Sequence, residues 1–191
     1  MGDFHGWIGP KNCRKNQRLE ILLPASSTES SAGGFSGNNV SVCRLQGDFD
    51  IRVYYTVPKF PAFNGVRVAL VVAQSGQVPP AAVERTSFSQ HDALSPGEFY
   101  LTDFGGVTRV PTTDKHGRLR LMRKGNTLTG YYFDAKLNDW KSISSASYTT
   151  NDVYFSIAAW SHNSFFDDNQ VTVTFDGVII ASGRLIGGCQ Y

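Results

Sequence analysis

The chain has 191 residues, room for one domain with a substantial core, and all-β domains of this size commonly remain undivided. Its 18 basic and 16 acidic side chains leave a net charge of +2, so bulk electrostatics make no case for nucleic acid or an anionic membrane. No apolar run approaches the length of a membrane span, and charged residues at 18% beside aromatics at 13% are the profile of a β-rich protein with a ring-filled core or ring-bearing surfaces.

Residues 1–18 form an irregular lead. The opening MGDFHGWIGP lacks the basic start and apolar centre of a signal peptide, and its Met-Gly reads as an expression start in place of a removed leader. LEILLP, Leu19 to Pro24, is the first short strand. Serine and glycine dominate Ser26 to Asn39, a surface loop and not a linker between domains, since too little chain precedes it to fold alone. In GDFDIRVYYTV, Phe49, Ile51, Val53 and Tyr55 alternate with Asp48, Asp50, Arg52 and Tyr54, the pattern of a half-buried strand, with Asp48 and Asp50 facing solvent. Pro58 and Pro61 close it. NGVRVALVV, Asn64 to Val72, leaves an Asn-Gly turn and is nearly continuously apolar, as a strand buried on both faces is.

Gln74 to Pro80 is a turn, and PPAA at 79–82 could start one helical turn. Further strands follow in AVERTSF, EFYLTDF, GRLRLMRKGNTLTGYYF, VYFSIAAWSH and VTVTFDGVII. Gly117 to Phe133 is a β-hairpin in which Leu119 and Leu121 share one face, Arg118 and Arg120 the other, and Gly125-Asn126 tolerates positive φ at the turn. No long internal repeat indicates a propeller or solenoid. About ten or more strands in one domain require two packed sheets, because a single open sheet that wide leaves an apolar face in water.

In this order, LQGDFDIRVYY, NGVRVALVV, AVERTSF, LRLMRKGNTLTGYYFD, VYFSIAAWSH and VTVTFDGVII resemble the concanavalin A-like lectin/glucanase superfamily, particularly its small bacterial laminin-G-like modules. The likeness covers roughly Leu45 to Ile180, and the pairing of GDFDI with RLMRKGNTLTGYY is its most specific part. It implies an all-β, two-sheet antiparallel jelly-roll sandwich over 1–191, with one concave sheet often used to bind carbohydrate. Retaining glucanases of that superfamily carry an E-x-D-x-E strand, which holds two carboxylates about 5–5.5 Å apart. This sequence has no such triplet, so hydrolysis by that mechanism is not expected.

The clearest site signal is VYFSIAAWSH. Phe155, Ile157 and Ala159 form its core face, and Tyr154, Ser156, Ala158, Trp160 and His162 the other. Small residues flanked by an indole and an imidazole suit a sugar, whose CH groups stack on rings while polar tips fix orientation; the alternative is an edge-capping Trp160 and an ordinary loop His162. Arg67, Glu84, Tyr100 and Tyr132 could extend that face into one hollow. Arg67 interrupts an apolar strand, so its guanidinium must meet water, a carboxylate or a ligand, with Glu84 the ready partner. Asp167 and Asp168, with Asp176, offer oxygens that could hold a structural calcium, against a plain solvated turn. No other cofactor is expected.

Cys13, Cys43 and Cys189 lack zinc-ligand spacing. A Cys43–Cys189 bridge is the expectation, with Cys13 as competing partner and three free thiols as the alternative. Arg118, Arg120 and Lys124 line one face of their strand, read as a solvated face: no aromatic interleaves with them along the chain, so nucleic acid is not an expected partner. The leading expectation is a secreted, non-catalytic, lectin-like module for a carbohydrate or similar polar ligand. An enzyme of unfamiliar type, a lyase or cyclase in the same hollow, and a self-assembling structural module are the alternatives.

Overall fold

The computed structural model describes residues 18–23, 36–74, 80–88, 96–161 and 170–187, and the following statements concern those residues. They form eleven strands: β1 Arg18–Leu23, β2 Ser36–Lys59, β3 Val66–Ala73, β4 Ala81–Phe88, β5 Gly97–Thr102, β6 Thr108–Pro111, β7 His116–Lys124, β8 Thr127–Asp134, β9 Asp139–Ser147, β10 Val153–Ser161 and β11 Val171–Ile186. All their pairings are antiparallel. None of the described residues lies in a helix long and apolar enough to cross a membrane.

β2 organises the molecule. It is 24 residues long, and the expected loop at Ser26 to Asn39 gives way to strand from Ser36 onward. Its first part pairs with β10, through Arg44 and Leu45, and its second part with β7, from Phe49 to Thr56. Between the two sits Gly47 at φ +67, a left-handed conformation that favours glycine. The strand thereby passes from one sheet into the other. The pairings are continuous in the order β6-β5-β4-β3-β10-β2-β7-β8-β9, with β11 and then β1 joined to β2, and the turn of β2 divides them into a first sheet, β6-β5-β4-β3-β10-β2, and a second, β1-β11-β2-β7-β8-β9. β4 lies over β7 and β8, while β5 and β6 lie over β9, so the two sheets face one another and curve together at that edge.

The alternating residues meet between the sheets. Phe49, Ile51, Val53, Val68, Leu70, Leu119, Leu121, Ile157, Val173 and Phe175 are buried in one cluster, with Phe155 packed against it. β3 is central in its sheet, between β4 and β10, which explains its unbroken apolarity. β4 is buried along its whole length, and Ala81 and Ala82 begin that strand where a helical turn was expected. An alanine pair is neutral locally, and cross-strand pairing to Val71 and Val72 decides the outcome.

Two buried arginines brace this core. Arg85 is fully buried and donates from Nε to the Asp114 carbonyl, from Nη1 to the Thr86 carbonyl and from Nη2 to Glu98. Arg123, 1% exposed, donates to the carbonyls of Gly47, Thr149 and Asn151. Each guanidinium satisfies backbone acceptors, among them Asp114 before β7 and Thr149 and Asn151 before β10.

Candidate functional site

Strand register determines what shares the outer face of the first sheet. Trp160 pairs with Arg67, Arg67 with Thr86, and Thr86 with Phe99, making one row across β10, β3, β4 and β5. Beside it runs Ala158, Ala69, Glu84 and Leu101. Both alanines are buried, as are Glu84 and Thr86 on β4, whereas Trp160 is partly exposed. Arg67 Nη1 lies 3.6 Å from Glu84 Oε2, with the Arg67 side chain 12% exposed and Glu84 fully buried. The same guanidinium sits 5.2 Å from the ring centre of Phe88, whose ring Arg109 also approaches at 5.0 Å.

This cluster is poorly supplied with hydrogen bonds. Both carboxyl oxygens of Glu84, Arg67 Nε and Thr86 Oγ1 are buried with no hydrogen-bond partner among the described residues, the Arg67–Glu84 ion pair being too long for one. Native proteins leave few such groups, and each requires water, an ion or a ligand. Burial pushes the Glu84 carboxyl up to about 8, against the pull of Arg67, and Asp103 adds to the rise. Asp103 is itself held above its ordinary value by burial, although its Oδ1 accepts a hydrogen bond from the Ala82 N–H.

Of the six residues expected in one hollow, Arg67, Glu84 and Trp160 therefore share a face. Tyr100 and Tyr132 do not. Tyr100 pairs with Arg85, which pairs with the core residue Val68, so its side chain points between the sheets. There it stacks on Tyr132 of the second sheet, ring centres 4.5 Å apart. Its hydroxyl donates to Asp114 Oδ2 at 2.8 Å and lies 3.0 Å from the Tyr55 hydroxyl, and burial raises its pKa. These two tyrosines line a separate cleft of about 610 Å³ with Glu98, Asp114, Asp134 and Lys136. The correction has a simple cause: alternation tells which residues of a strand share a face, but not which face of the next strand is the same one.

His162, Asp167 and Asp168 lie outside the described residues, as do Cys13 and Cys189. Asp176 accepts a hydrogen bond on its Oδ1 from Arg18 Nε. No group of metal-binding side chains occurs among the described residues. Cys43 is 3% exposed.

Asp50 departs from its expected solvent-facing role. It is 7% exposed and receives paired hydrogen bonds from both Arg52 and Arg120. Desolvation pushes its carboxyl up, but the two guanidiniums outweigh that and hold it below the ordinary carboxylate range. Sequence reasoning also missed Thr86, Phe88, Phe99, Asp103 and Arg109 near Glu84. Alternation along β4 was enough to name Thr86 and Phe88; the others required the cross-strand register.

No family model matches the sequence, and no match was found among curated proteins. Solved structures do share its architecture. A glycoside hydrolase family protein from Mycobacterium thermorestibile superposes with a TM-score of 0.58 at 9% identity, covering 86% of this chain and 76% of that one. The VIP36 exoplasmic/lumenal domain in its Ca2+/Man2-bound form gives 0.51 at 11% identity, over 83% and 80% of the two chains. A functionally unknown protein from Saccharomyces cerevisiae gives 0.53 at 11% identity, over 87% and 98%. The two-sheet architecture, the strand-crossing β2 and these likenesses together give this chain the concanavalin A-like fold.

Proposed function

We propose that the chain is a non-catalytic module that binds a carbohydrate or similar polar ligand on the outer face of its first sheet, around Trp160, Arg67 and Glu84. The observation that carries this reading is the group of buried polar atoms without a hydrogen-bond partner among the described residues on Glu84, Arg67 and Thr86. A sugar hydroxyl donates and accepts, so one ligand group can serve a guanidinium and a carboxyl together, while the indole of Trp160 supplies a stacking surface. Glu84 is the one carboxylate on the Ala82, Glu84, Thr86 and Phe88 face of β4, and Asp103 lies near enough to raise it. The VIP36 domain, a neighbour in fold, is bound to Man2 and Ca2+; for this chain the ligand reading rests on its own side chains.

Trp160→Ala should weaken binding of a glycan-array ligand about tenfold or more while leaving the melting temperature nearly unchanged, because the indole is partly exposed and lies outside the inter-sheet core. A stability loss of roughly 3–5 kcal/mol instead would mark Trp160 as a packing residue and end this assignment. Glu84, titrating near 8 beside Asp103, also favours a second reading, an enzyme of lyase or cyclase type in which Glu84 donates or accepts a proton. Turnover of a bound glycan would select it.

A secreted or extracytoplasmic location and a Cys43–Cys189 bridge belong to the same proposal. Ile186 pairs with Arg44, which brings the end of β11 alongside Cys43, three residues short of Cys189. Such a long closed loop contributes on the order of 3–5 kcal/mol when unstrained, and it requires an oxidising compartment. Peptide mapping of unreduced protein should yield a fragment linking Cys43 to Cys189; a Cys13 linkage, or three free thiols in protein from its native compartment, would refute it.

A further inference from the structure

The outer face of the second sheet presents a different chemistry. Arg52 on β2 pairs with Arg120 on β7, and Arg120 with Tyr131 on β8; in the next row Tyr54 pairs with Arg118, beside Phe133 and Trp140. The Arg118 guanidinium lies between two rings, 4.7 Å from the centre of Tyr54 and 4.3 Å from that of Phe133. Arg120 approaches Tyr131 at 4.8 Å and Trp140 at 5.5 Å, and Arg52 also lies 5.5 Å from Trp140. The rings absent along β7 are thus supplied by its neighbours, which corrects the expectation of a plain solvated stripe.

We propose that this face binds an acidic polysaccharide, one carrying carboxylate or sulfate groups, through the edges of Arg118, Arg120 and Arg52. Three guanidiniums share this patch with one buried carboxylate, Asp50. That carboxylate takes the Nε and Nη2 groups of Arg52 and Arg120, which locks both side chains and leaves their Nη1 groups without a hydrogen bond among the described residues. Arg118 makes no hydrogen bond or ion pair among those residues at all. A guanidinium stacked on rings keeps its planar donor edge, the geometry that takes an oxyanion through two parallel hydrogen bonds. Arg118 and Arg120 stand two residues apart on one strand, about 6.6–6.8 Å. One oxyanion cannot span both edges; successive anionic groups of an extended chain can.

Nucleic acid fits less well. Single-stranded binding uses open aromatic faces as platforms for bases, whereas Tyr54, Phe133, Tyr131 and Trp140 each already lie against a guanidinium. This surface is separate from the face around Glu84, and the proposal stands whether or not that face binds sugar.

Affinity electrophoresis of the full chain at low ionic strength, with polygalacturonate, heparin, neutral laminarin and poly(dT) as probes, tests it. Retardation by polygalacturonate or heparin, weakening as salt is raised, is the expected result; retardation by polygalacturonate shows that carboxylate suffices, and retardation by heparin alone shows that sulfate is required. Arg118→Gln should weaken that binding about tenfold, the worth of one charge-assisted bidentate contact, and flatten its salt dependence. Arg118→Lys, which keeps the charge but loses the planar edge, should fall between. The proposal is overturned if neither acidic polymer retards the protein, if both folded variants bind like the parent, or if poly(dT) binds as tightly with the same dependence on Arg118.

Discussion

An Arg123→Ala variant should lose about 3–5 kcal/mol of stability, a large share of the total in a domain of ordinary stability. Three backbone carbonyls, those of Gly47, Thr149 and Asn151, accept from this one guanidinium, which also lies 4.9 Å from the ring centre of Phe49. Gly47 is where β2 changes sheets, and Thr149 and Asn151 precede β10, so one side chain ties the crossover to the strand beside it. Truncation leaves buried acceptors unpaired at roughly 1–3 kcal/mol each, partly relieved by entering water. Arg123→Lys should recover little, because one ammonium cannot reproduce the fork. Urea titration reads the effect as a lower midpoint at unchanged slope. A loss below about 1 kcal/mol would mean that water replaces the guanidinium and that the brace is dispensable.

Glu84→Gln should stabilise the free protein above neutral pH and remove a pH dependence. Burial raises the folded carboxyl from 4.5 to about 8. Between those values the folded state holds the proton and the unfolded state does not, so stability falls as pH rises through that window and levels off above it. The slope is at most about 1.4 kcal/mol per pH unit, and a few kcal/mol accumulate across the window. Below 4.5 both states are protonated and the difference vanishes. Glutamine, neutral throughout, should flatten this part of the curve. Denaturation midpoints at pH 5 and pH 8.5 for parent and variant provide the comparison; parallel profiles would show that Glu84 is ionised in the folded state and paired to Arg67.

Most of the scaffold was legible before any coordinates. Phe49, Ile51 and Val53 alternate against Asp50, Arg52 and Tyr54, and Leu119 and Leu121 against Arg118 and Arg120; a period of two assigns each to core or outer face without knowledge of partners. Trp160 was placed on the outer face by the same rule. The start of β2 at Ser36 was not legible, because Ser-Gly-Asn-Asn has turn chemistry and its strand state comes from pairing with β10. An isolated carboxylate in an alternating strand usually faces solvent, yet Arg120, which completes the cage of Asp50 with Arg52, lies 70 residues away in sequence.

The candidate site divides along the same line. Arg67 and Glu84 could be suspected as partners because each is a charge within a strand that otherwise has to be buried. That Tyr100 belongs instead with Tyr132, Tyr55 and Asp114 inside the sandwich depends on the β4–β5 register, where a slip of one residue would have turned it outward. Arg118 lacked a visible ring along its own strand, and Tyr54 and Phe133 reach it only from the two strands alongside. Local periodicity is a property of consecutive residues, so alternation was sufficient for most strands, their buried faces and the need for two sheets, but not for β6, β9 or the first residues of β2, which lack it. Strand order, register and the sheet change at Gly47 arise from packing between segments far apart in the chain, and they alone decided which arginine meets which carboxylate, ring or open surface.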